Sequence, residues 1–176
     1  ISAVDMALWD IKGKYENKPV YELMGGKKQE EVIPYASLQP VGHSFQEYKD
    51  SLVEWAKKAK DLGFKAVKSE VTLNGPYAHS GLNENDDKTT EVVEAVRKAL
   101  GPEIKLMIDV QYRWLNADEA LPVVKEWKDF DIYFLETPVW TDDIKSYAKM
   151  HDEAPMKIAA GEWLSTRYEF EDLIIN

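Results

Sequence analysis

Three apolar runs in this chain end on a carboxylate. Residues 104–108, 132–135 and 157–161 lead into Asp109, Glu136 and Glu162. Asp109 to Glu136 spans 27 residues and Glu136 to Glu162 spans 26, about one strand–helix unit each. If the runs are neighbouring parallel strands, equivalent ends lie roughly 5 Å apart. Carboxylates that close repel one another unless a cation sits among them, and an oxygen-only donor set suits Mg²⁺ or Mn²⁺. A lone Asp or Glu at a strand end reads more simply as a helix cap or surface group; three at a regular interval favour a metal site.

The elements that must position these groups alternate along the chain. Val4, Leu8 and Ile11 fall at helical spacing in a segment that runs on through residues 18–24 and stops at Gly25-Gly26. Residues 32–37 read as a first strand. Ser44, with Glu47 three residues on, makes a capping box. Phe45, Tyr48, Leu52, Trp55, Ala59 and Leu62 then mark one face of a helix that Gly63 ends. Strands at 64–71, 104–109, 132–136 and 157–162 alternate with helices at 88–100, from Asn116 and Glu119 onward, at about 142–151 and at 168–175. The polar stretch with Gly75, Pro76, Gly81 and Asn83 is long enough for a functional loop or lid.

Five strands alternating with helices predict an α/β fold of parallel units. An open doubly wound sheet and a (β/α)8-type barrel share this pattern, but no G-x-G-x-x-G follows any of the strands, which weakens the dinucleotide-binding sheet. A barrel needs eight units and about 250 residues. The 176 residues supply about the first five βα units, and the remaining strands are expected beyond Asn176.

Residues 7–14 (ALWDIKGK) and 19–26 (PVYELMGG) resemble the segment leading into the barrel in the mandelate racemase/muconate lactonizing branch of the enolase superfamily. Residues 106–109 (LMID), 134–138 (FLETP) and 158–162 (IAAGE) resemble that family's three metal-ligand strands in order and spacing. The resemblance runs through nearly the whole chain. It implies residues 1–30 as a helical segment leading from an α+β capping domain, and 31–176 as a partial barrel of strands one to five. It also implies Mg²⁺ at Asp109, Glu136 and Glu162, binding a substrate carboxylate and stabilising the enediolate formed when a base removes the α-proton.

The pattern is broken on the second strand. Where this branch commonly carries Lys-x-Lys, the chain reads Lys68-Ser69-Glu70. Residues two apart share a strand face, so Lys68 and Glu70 are the candidate catalytic pair, with Glu70 in place of the usual lysine base. An ion pair between the two, or a contact from Glu70 to a substrate hydroxyl, is the competing reading. Residues 109–114 (DVQYRW) resemble the acid-sugar dehydratases, several of which carry His where Gln111 stands. An amide does not titrate, so Gln111 is a candidate hydroxyl ligand. Arg113, Trp163 and His79 complete the expected substrate contacts, while His43 and His151 read as surface residues. In many relatives the working base is a histidine on the seventh strand.

Composition narrows the partners. A net charge of −10, from 32 acidic and 22 basic residues, repels nucleic acid and anionic lipid but not a carboxylate substrate held by a cation. No run approaches the roughly 20 apolar residues that cross a bilayer. The absence of cysteine excludes disulfides and thiolate chemistry and fits the cytoplasm. The expected function is Mg²⁺-dependent dehydration of an acid sugar by a homo-oligomeric enzyme. The alternatives are a racemase or cycloisomerase of the same superfamily, a non-catalytic barrel homologue, or an unrelated sheet protein whose carboxylates cap helices.

Overall fold

The structure, a computed structural model, describes residues 2–175. The chain divides into two compact units, residues 1–33 and 34–176.

The first unit holds α1 (Ser2–Glu16) and α2 (Val20–Leu23). The single helical run expected from the sequence is interrupted. Asn17 takes φ +52, and the Lys18 N–H returns to the Gly13 carbonyl at 2.9 Å. Lys18 precedes Pro19, whose ring disfavours helical geometry in the residue before it, so the break falls where the covalent chemistry demands one. Gly13 is buried at this turn, where a Cβ would lie 2.8 Å from the Lys18 carbonyl oxygen.

The second unit is a parallel sheet of β1 (Ala36–Leu38), β2 (Ala66–Glu70), β3 (Lys105–Asp109), β4 (Ile132–Glu136) and β5 (Lys157–Ala159), in that spatial order. Between and after the strands run α3 (Phe45–Asp61), α4 (Asp86–Leu100), α5 (Ala117–Glu126), α6 (Ile144–Glu153) and α7 (Arg167–Ile175). Each crossover steps the same way along the sheet. Because such connections are right-handed, every helix falls on the same face, which is the wall pattern of a barrel rather than of a doubly wound sheet.

That covered face carries the core. Leu38, Val67, Ile108 and Leu135 point into it and meet Tyr48, Leu52, Val92, Val96, Leu121, Val124, Trp127 and Met150 from the helices. Ser44 caps α3 through the expected reciprocal box with Glu47, Asn85 caps α4, and Asn116 caps α5 by accepting from both Asp118 and Glu119 N–H groups.

Two strands are shorter than their apolar runs suggest. The first starts at Ala36, because Pro34 has no N–H to give a ladder and Val32 and Ile33 stay exposed. The fifth stops at Ala159, and Gly161 then turns the chain at φ +110, a conformation that favours glycine. Glu162 therefore lies past the end of its strand.

Candidate active site

The face opposite the helices carries the chemistry. Ser37, Lys68, Met107, Phe134 and Lys157 stand at one register level, and Glu70, Asp109, Glu136 and Ala159 at the next, at the C-terminal ends of their strands. Asp109 and Glu136 are direct register partners, as are Glu70 and Asp109. Three carboxylates thus occupy consecutive strands at one height, though they are not the three that the sequence interval suggests. Glu136 pairs with Ala159, so Glu162 comes three residues beyond the level of the others.

Lys68 neutralises the pair beside it. Its ammonium donates to Glu136 Oε2 at 2.7 Å and lies 3.5 Å from Asp109 Oδ2, with all three side chains at most 18% exposed. Burial alone would lower the lysine pKa; the hydrogen bond to Glu136 and the charges of Glu136 and Asp109 outweigh it and leave the ammonium raised. The competing reading, an ion pair between Lys68 and Glu70, is not seen among the described residues. Glu70 instead accepts from the Thr72 hydroxyl at 3.3 Å, and burial together with Asp109 pushes its carboxyl above the ordinary glutamate value. A carboxyl so perturbed at a strand end is suited to hold and release a proton.

The remaining oxygen of Asp109 is fixed from two sides. Oδ1 accepts the Gln111 N–H at 3.1 Å and the buried Thr137 hydroxyl at 2.9 Å. The backbone that delivers these donors departs from ordinary geometry: Gln111, Tyr112 and Thr137 all take positive φ, at +44, +62 and +45. Such conformations cost free energy in residues with a Cβ, and they cluster at functional sites. Here they are held by the bond from the Tyr112 N–H to the Thr137 carbonyl at 2.6 Å.

Glu162 has a different partner. The Tyr112 hydroxyl donates to its Oε1 at 2.6 Å, and burial first, then the Glu162 carboxylate, raise the phenol. Among the described residues no three His, Cys, Asp or Glu side chains stand close enough to hold one ion. The donor chemistry of Asp109, Glu136 and Glu162 fits a hard divalent cation. In placement, two of the three are gathered around an ammonium and the third is tied to a phenol.

Two expected substrate contacts have partners within the chain. The Arg113 side chain is 4% exposed, with Nε and Nη2 on Asp86 Oδ1 at 2.8 Å and Nη2 also on the Glu84 carbonyl, so it fastens the loop before α4. His79 Nε2 donates to the Gly42 carbonyl at 3.0 Å and its ring packs edge-on with Tyr48, anchoring the loop after β2. Trp163 is exposed and shares a cleft with Trp140. Tyr112, Trp140, Tyr77 and Thr137 are not marked as site residues by the sequence pattern. The available signal was an aromatic residue three positions after Asp109 and four after Glu136; no such spacing marks Tyr77 or Thr137.

Comparison with known proteins decides the family. The profile described as Enolase C-terminal domain-like matches residues 51–176, and the mandelate racemase/muconate lactonizing enzyme N-terminal domain matches residues 1–25. The chain belongs to the enolase superfamily. Within it, the chain is 30% identical over its whole length to a D-galactonate dehydratase family member of Cellvibrio japonicus, covering 48% of that protein. It is 34% identical to the D-gluconate dehydratase of Thermoproteus tenax, with 96% of the chain and 33% of that protein aligned. Among solved structures it resembles the 3,6-anhydro-D-galactonate cycloisomerase of Zobellia galactanivorans (TM-score 0.78, 35% identity, 98% of this chain and 44% of that one). It also resembles an enolase from Bradyrhizobium complexed with magnesium and mandelic acid (TM-score 0.75, 26% identity, 99% and 44%). The chain thus spans half or less of the length of the relatives it matches.

Proposed function

We propose that the protein removes the α-proton of a small carboxylate substrate with the help of a divalent metal, and that the reaction is dehydration of an acid sugar. The observation that carries this reading is the cluster at one register level: Glu70, Asp109 and Glu136 on three consecutive strand ends, with Lys68 between the last two.

Asp109, Glu136 and Glu162 would hold the ion, as the oxygen donors at the ends of the third to fifth units. A hard divalent cation supplies charge that polarises a carboxylate and makes the neighbouring C–H acidic. Thr137 and the Gln111 N–H keep Asp109 aimed, and the Lys68 ammonium offers a cation for a substrate oxygen. Glu70, half-buried with a raised carboxyl pKa, is the group in this chain able to take or return a proton at its carboxylate. Loss of the C2 proton and of the C3 hydroxyl as water leaves an enol that tautomerises to a 2-keto-3-deoxy acid.

Two kinds of relative support the reaction class: dehydratases of D-galactonate type and D-gluconate, and a cycloisomerase at 35% identity, which keeps isomerisation as the second reading. Proton NMR in D₂O on the intact protein with Mg²⁺ and a panel of aldonates tests both. Mg²⁺-dependent loss of the C2 proton signal with a 3-deoxy product supports dehydration. Exchange without water loss supports isomerisation. No exchange with any acid contradicts the proposal.

A further inference from the structure

Three aromatic rings stand on the loops that follow β2, β3 and β4. Tyr112 stacks on Trp140 at 4.8 Å between centroids and 15° between planes; Tyr77 closes on them at 5.8 and 6.4 Å. The stack is built rather than incidental. Tyr112 is buried, held in positive φ by its backbone bond to Thr137 and by its hydroxyl on Glu162. Tyr77 and Trp140 remain 43% and 41% exposed. Beyond them, Trp140, Thr141, Asp142 and Trp163 line a cleft of about 440 Å³.

The chemistry of that cleft is specific. It is lined by two indoles, a hydroxyl and a carboxylate, with no cation among its lining residues. An anionic end would be repelled by Asp142, whereas hydroxyls can donate to it and C–H bonds can lie on the electron-rich ring faces. Tyr112, on which Trp140 stacks, donates its hydroxyl to Glu162, one of the three expected metal ligands.

We propose that Trp140 and Tyr77, propped from behind by Tyr112, form a stacking shelf for the hydroxylated tail of a substrate whose carboxylate end lies at the Asp109–Glu136 cluster. The shelf selects polyhydroxylated acids over short α-hydroxy acids. This inference rests on the proposed reading of that cluster as the carboxylate-binding end. Tyr77 and Trp140 are specificity residues, and Tyr112 is a positioning residue.

Calorimetry on the intact protein with Mg²⁺ tests it, comparing D-gluconate with lactate, which has the same α-hydroxy acid end and no polyol tail. Trp140→Ala is expected to weaken gluconate about tenfold and Tyr77→Ala about threefold, as losing one aromatic contact should. Lactate and Mg²⁺ affinities stay unchanged, and Trp140→Phe, which keeps a ring face, recovers most of the gluconate affinity. Equal losses for both acids, or no loss for either, overturn the shelf while leaving the metal reading intact. Binding of neither acid by the unaltered protein with Mg²⁺ bound overturns the carboxylate-end reading, and the shelf falls with it.

Discussion

Asp109 and Glu136 face each other across adjacent strands, and the Lys68 ammonium lies within 3.5 Å of both. Removing that charge with Lys68→Met leaves two largely buried carboxylates repelling; a loss of about 3 kcal/mol is expected in chemical denaturation, part of it restored by Mg²⁺. Undiminished stability in metal-free buffer would show that the ammonium is not what holds the pair together. Buried phenols give a second test. Tyr48 donates to the Glu70 carbonyl and accepts from the Thr72 N–H, and burial pushes its pKa up to about 12 from 10.0. Tyr112 and Tyr147 are raised in the same direction, burial being the first cause in each. Above pH 10 the unfolded chain loses these protons while the folded one keeps them. Stability is therefore full below pH 10 and falls as pH rises through the folded values. The tyrosinate absorbance of these three phenols should rise only together with unfolding; their ionisation in the native state would contradict their burial. Asp109 and Glu136 were legible in the sequence because apolar runs end on them. Tyr112 was not, because its place depends on positive-φ backbone that no residue type announces.

The loop between β2 and α4 is fastened by Arg113, which reaches from the β3 side to Asp86 and the Glu84 carbonyl, with the Trp114 indole also donating to Asp86. Asp86→Ala strands a guanidinium in a site 4% exposed, and about 2 kcal/mol of destabilisation is expected, less than for a fully buried pair because Asp86 is partly solvated. Thermal unfolding with Asp86→Asn, which keeps an acceptor, should show a smaller loss; identical losses would place the effect in the α4 N-terminus alone. Helix starts were readable, since Ser44 and Asn116 carry their caps in the local sequence. The fifth strand was not. A 26-residue interval matched the one before it, yet the register partner of Glu136 is Ala159, and the glycine at 161 spends the difference on a turn. Interval counts residues, whereas register counts hydrogen bonds.

At the scale of the molecule, sequential strand order and one-sided helices make this sheet a segment of barrel wall, with its polar face carrying lysines and carboxylates. Alternation of fully buried Val67 and Ser69 with half-buried Lys68 and Glu70 shows how a single strand serves both faces. The fold class was readable from sequence for a different reason, the regular alternation of apolar strand runs with helical segments. The gathering of groups at the rim required the structure, because Lys68 reaches up one register level to meet carboxylates on two other strands. The proposed chemistry stands on this rim taking a divalent cation. An anomalous difference map from a crystal of the intact protein soaked in Mn²⁺ tests it most directly. One peak is expected, coordinated by Asp109, Glu136 and Glu162, with Lys68 moved off Glu136. An empty rim in saturating Mn²⁺, with Lys68 still on Glu136 and Tyr112 still on Glu162, would contradict it.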